Sequence, residues 1–123
     1  MATEAPWEVI RRAADRLEEL ARDATPGPWR WCDPGGKHKW ALFSGTWKSG
    51  RMVLPTSEPF PYVADGDWIA TLGPAVAEPL VAWLRLSADA VAKYGFVHSE
   101  QMSESEAYAF DFARRILGSV GHG

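Results

Sequence analysis

The chain predicts an α+β domain: an N-terminal helix, a three- to four-stranded antiparallel β-meander, then two to three C-terminal helices packed on one sheet face. Three observations carry that expectation. Apolar residues recur at helical spacing over the first 24 residues and again after residue 63. Between these stretches, aromatic and β-branched residues alternate with Gly-rich turns, the pattern of hairpins. Strands and helices are segregated along the chain, which favours α+β over an alternating α/β plan. A length of 123 residues suits one domain, and such a chain buries roughly two-thirds of its unfolded surface. The expected organisation is a single domain over 1–123, with a helix at 1–24, meander and loop at 25–62, a helical part at 63–118 and a frayed tail at 119–123.

Each element has its own signal. Residues 4–24 place Trp7, Ile10, Ala14, Leu17, Leu20 or Ala21, and Ala24 on one helix face, with Thr3 as N-cap and Pro6 in the first turn. The other face carries Arg11, Arg12, Asp15, Arg16, Glu18, Glu19 and Arg22, an ordinary solvated surface. Thr25-Pro26-Gly27-Pro28 stops the helix, because proline donates no helical hydrogen bond and restricts the residue before it. Strands are expected at Pro28–Asp33, Lys39–Phe43, Thr46–Lys48 and Arg51–Leu54, joined through Pro34-Gly35-Gly36, Ser44-Gly45 and Ser49-Gly50. Pro55–Pro61 reads as an extended loop that cannot join a central strand. Asp65 or Asp67 caps a short helix through Leu72, which Gly73-Pro74 breaks. A longer helix over Ala75–Tyr94 sets Val76, Leu80, Trp83, Leu84, Ser87, Val91 and Tyr94 on one face, with Pro79 kinking it or delaying its onset and Gly95 ending it. Ser103 and Glu106 form a capping box for the last helix, whose inward residues are Ala109, Phe112, Ala113, Ile116 and Leu117 and whose end is Gly118.

Composition narrows the function classes. Net charge is −3, and the apolar and charged fractions are those of ordinary globular chains. A single cysteine, Cys32, rules out an internal disulfide. The first residues carry neither a basic cluster nor an apolar run, and Pro79–Leu86 is far too short for a membrane span, so a cytoplasmic protein is expected. Asparagine is absent, alanine abundant and isoleucine scarce, as a GC-rich coding sequence would produce.

Thr25-Pro26-Gly27-Pro28-Trp29, preceded by Ala24 and followed by Trp-rich strands, and the Asp65/Asp67 turn into Trp68-Ile69-Ala70 form a distinctive combination. It resembles a group of small proteins of actinobacteria and their phages, similar in pattern to the Ead-type early-region proteins of temperate phages. The resemblance implies a phage or mobile-element setting and carries over no catalytic residue and no cofactor. Its residues also have a structural meaning, since both segments set the angle at which the chain leaves or enters a helix.

Candidate chemistry is sparse. Residues 25–60 hold five basic residues, Arg30, Lys37, Lys39, Lys48 and Arg51, against Asp33 and Glu58, and they carry Trp29, Trp31, Trp40 and Trp47. Aromatic faces with nearby cations can stack and neutralise single-stranded nucleic acid or nucleotides. The structural alternative places alternate Trp residues in the core and uses the basic ones to keep strand edges soluble. Trp29 and Trp31 share one face, leaving Arg30 and Cys32 on the other. Pro34-Gly35-Gly36-Lys37-His38-Lys39 lacks the phosphate-loop pattern and reads as a hairpin turn. Cys32, Asp33 and His38 lack the ligand spacing of a zinc site, and no partner supports a Cys32–His98 dyad. Asp65 and Asp67 read as helix caps. Seven tryptophans are more than one small core readily hides, which leaves two readings, some of them at the surface as an apolar patch for a partner or all of them in a large aromatic core.

These readings converge on a non-catalytic binding or accessory protein, phage-related, acting on a host or phage protein, with a homodimer as a further partner. No metal, cofactor or membrane is called for. The expected contact residues are Trp40 and Trp47, with Arg30, Lys37 and Lys39 at the rim. The alternative is nucleotide or single-stranded nucleic-acid binding on the same basic meander.

Overall fold

A computed structural model describes residues 4–32, 40–44, 50–56 and 68–120. The architecture is α+β, with an N-terminal helix, a three-stranded antiparallel sheet and several C-terminal helices. The chain divides into two compact units, one formed by Met1–Leu20 with Glu78–Gly123 and the other by Ala21–Ala77.

The helical unit is held by its own core. Helix α1 (Pro6–Asp23) starts with proline at a position whose N–H has no helical partner to lose. Its Ile10, Ala13 and Ala14 are buried together with Val81, Leu84, Ala88 and Val91 of α2 (Ala77–Tyr94) and with Ala109 and Ala113 of α3 (Glu104–Val120). The buried residues of α1 and α3 are largely alanine, which lets their backbones approach α2 closely, while Trp7, Leu17, Trp83, Phe96, Phe110 and Phe112 close over the cluster. The buried faces of these helices are thus packed on one another. α1 and α2 run antiparallel, because Arg11 meets Asp89 at 3.2 Å while Arg85, one turn earlier on α2, meets Asp15 and Glu18 at 3.1 Å.

Helix ends follow local chemistry. Pro79 lies within the first turn of α2, which begins at Ala77 and not at the expected Ala75, after a 3-10 turn at Pro74–Val76. Gly95 ends α2 at φ +66, with Phe96 N–H donating to the Val91 carbonyl and Gly95 N–H to that of Ala92, both 3.1 Å. This left-handed cap caps the last carbonyls and brings Phe96 back onto the core. Ser103 and Glu106 make the expected reciprocal box: Glu106 N–H donates to Ser103 Oγ at 3.2 Å and Ser103 N–H to Glu106 Oε1 at 2.9 Å. α3 continues past Gly118 to Val120. Tyr94, expected inward, is exposed, whereas Val81 and Ala88 take the buried positions. The expected face was drawn slightly too far round the helix.

In the sheet unit, β1 (Trp29–Cys32), β2 (Trp40–Ser44) and β3 (Arg51–Thr56) pair in sequence order. Trp31 lies opposite Leu42 and Arg30 opposite Phe43. A bulge at Val53 shifts the β2–β3 register, so that Leu42 faces Leu54 but Phe43 faces Met52. Leu42 and Phe43 are adjacent in sequence and both buried, so both faces of the central strand are covered at this point. β3 extends through Pro55, which an edge strand tolerates because proline's missing N–H costs no ladder bond on a strand's outer side. Residues 68–71 form one helical turn. The expected strand at Thr46–Lys48 and the caps Thr3, Asp65 and Asp67 lie outside the described residues.

Candidate binding surface of the sheet unit

Trp29 is a structural residue. Its indole Nε1 donates to the Thr25 carbonyl at 2.9 Å, closing the Thr25-Pro26-Gly27-Pro28 turn on itself. The Gly27–Pro28 peptide is cis, and Ser44 at the end of β2 donates its hydroxyl to the Pro26 carbonyl. Two glycines make this packing possible. A Cβ on Gly27 would stand 2.8 Å from the Ala75 backbone nitrogen, and one on Gly73 would stand 3.1 Å from the Trp29 ring. The turn after α1 and the break at Gly73-Pro74 are therefore packed against each other, and the Trp29 indole is engaged on this interior side.

Arg30, between Trp29 and Trp31 on β1, is exposed, as its opposite parity requires. Trp31 is half-buried. Trp40 opens β2, its backbone opposite Thr56. Lys37, Lys39 and Trp47 lie outside the described residues, as do Asp33 and His38. His98 is exposed at the start of the 3-10 turn Ser99–Gln101, where Gln101 Oε1 accepts from the backbone N–H groups of Val97 at 2.9 Å and His98 at 3.0 Å. Among the described residues, no three His, Cys, Asp or Glu side chains gather as metal ligands would, and no helix is long and apolar enough to cross a membrane.

The surface feature not singled out from the sequence is Trp68. Its indole is 69% exposed, and Leu72, one turn on, is 50% exposed, with Ile69 beside them also at the surface. The Leu72 N–H donates to the Trp68 carbonyl at 3.0 Å, so the two side chains sit one above the other. Tryptophan is highly buried on average, and this one closes no turn in the way that Trp29 does. The i, i+4 spacing of Trp68 and Leu72 was the available signal. It was obscured because the surrounding motif reads equally well as a helix entry.

Charge elsewhere is largely neutralised in exposed pairs. Arg12 binds Glu4 through two hydrogen bonds of 2.7 and 2.9 Å, which hold the Glu4 carboxyl below the usual range and the guanidinium above it. The hydrogen bonds that Arg85 donates to Glu18 and Asp15 likewise hold its guanidinium above the usual value. These groups lie in the helical unit, where Arg85 ties α2 to α1 and the Glu4–Arg12 pair ties the segment before α1 to that helix.

No protein family, curated protein or solved structure matches the chain.

Proposed function

We propose that the protein is a non-catalytic binding module, of phage or mobile-element type, that acts by docking its sheet unit onto a partner protein. The observation that carries this reading is the exposed apolar group Trp68, Ile69 and Leu72. Tryptophan contributes disproportionately where proteins bind one another, because it removes a large apolar area from water while losing little conformational freedom. Arg30, exposed on the same unit, supplies a cation for the rim. Trp40, Trp47, Lys37 and Lys39 remain part of the proposed contact on the strength of their positions in the meander. Nucleic-acid stacking is the weaker reading, since the Trp29 ring is spent on Gly73 and Thr25.

The test is retention of a partner from a GC-rich actinobacterial lysate on the immobilised protein, with and without nuclease. Retention in both lanes that is lost in Trp68→Lys and Leu72→Lys is the expected result. Both side chains are exposed, so these variants keep the fold. Retention that vanishes with nuclease, or oligonucleotide binding with a steep salt dependence, would replace this reading with the nucleic-acid one.

A further inference from the structure

α2 is apolar around most of its circumference. One side is buried through Val81, Leu84, Ala88 and Val91. The opposite side presents Pro79, Ala82, Leu86 and Ala90 at helical spacing, and Leu86 is 72% exposed. A helix on the surface of a small protein normally places charge there, as α1 does with Arg11, Arg12, Asp15, Glu18 and Glu19. The charges of α2 that flank this side do not dilute it, because Arg85 is drawn to Asp15 and Glu18 and Asp89 to Arg11. A helix apolar on both sides is one that is covered on both sides.

We propose that the outward face of α2 is a homodimer interface, in which two α2 helices pack antiparallel about a twofold axis near Leu86. This inference stands on residues distinct from those of the proposed partner site. Shape and charge select a second copy as the occupant. Antiparallel pairing about Leu86 sets Ala82 of one copy opposite Ala90 of the other, and these small side chains leave room for both leucines between close-packed helices. Glu78 stands at one end of the face and Lys93 at the other. Neither enters an ion pair among the described residues. The antiparallel arrangement brings Lys93 of each copy beside Glu78 of the other, twice over, whereas a parallel one would oppose like charges. The interface is isologous and closes at two copies. A single helix face buries less than the roughly 1,600 Å² of a standard stable interface, so the dimer forms at micromolar concentrations and above.

Sedimentation equilibrium of the full chain, over a series from low micromolar to near-millimolar, tests this directly. The mass is expected to rise from one chain to two. Leu86→Lys should hold it at one chain, with circular dichroism unchanged because Leu86 is at the surface. Lys93→Glu should weaken dimerisation about fivefold, as loss of two exposed ion pairs implies, and adding Glu78→Lys to that chain should restore it. A monomer throughout the series, or a dimer indifferent to Leu86→Lys, overturns the proposal. A dimer that needs Leu86 but gains nothing from the double charge exchange overturns the antiparallel arrangement.

Discussion

Trp29 shows how much a single side chain organises here. One indole N–H closes the turn after α1, and one ring face covers Gly73. The two glycines it depends on differ in what surrounds them. Beside Gly27 the nearest atom is backbone, 2.8 Å from where a Cβ would stand, and backbone cannot give way without moving the chain. Beside Gly73 the nearest atoms belong to the Trp29 ring at 3.1 Å, which can shift by a few tenths of an ångström. Gly27→Ala is therefore expected to cost about 1–3 kcal/mol, the range for overpacking, and Gly73→Ala clearly less. Urea unfolding midpoints of the two variants check the order, and a neutral Gly27→Ala would show that this packing is looser than drawn. Trp68 makes the contrast: the same residue type, in the same unit, left largely in solvent.

At the scale of elements, the caps and turns are legible in the sequence itself. Ser103 and Glu106, Gly95, and the Thr25–Pro28 stop each act through their own backbone neighbours, so three or four residues of sequence contain the whole cause. Ser103→Ala is expected to destabilise the protein by about 1 kcal/mol, the usual cost of losing an N-cap hydroxyl. Thermal unfolding measures it, and the loss should be smaller when Glu106 has already been replaced by Ala, because the two bonds form one motif. What the sequence left open was the orientation of α2. Its composition offers an apolar residue in nearly every direction, so periodicity alone does not distinguish the buried side with Val81 and Ala88 from the outward side with Leu86. The same ambiguity hid Trp68. A pattern reports which residues share a face, and only packing reports which face meets solvent.

Across the whole molecule, apolar burial and charge are arranged differently. The buried cluster of the helical unit contains no ionisable residue, and the charges form exposed pairs along its surface. Such pairs contribute little individually and are screened by salt. The Glu4–Arg12 pair still gives stability a defined pH response. Its hydrogen bonds hold the Glu4 carboxyl below its ordinary value, so its contribution is present above the unfolded-state value and is lost as the pH falls through the lowered folded one. At low ionic strength, denaturation midpoints should decline on acidification through that range. The decline should be slightly shallower in Glu4→Gln, and the difference should shrink in high salt; identical profiles for the two proteins would show that the pair contributes nothing.

The bulge at Val53 carries a consequence for the lengths this strand can take. In a regular pair, residues 52 and 54 would lie opposite residues two apart on β2, yet here they lie opposite Phe43 and Leu42, which are adjacent. Val53 is the extra residue that reconciles the two. Deleting it would leave Met52 and Leu54 adjacent in sequence and still opposite Phe43 and Leu42, the register of a regular ladder, so the strand would keep its pairing and lose only the bulge. β3 thus tolerates the loss of one residue at this position, whereas a further residue inserted there would have to be matched by a deletion on the same strand.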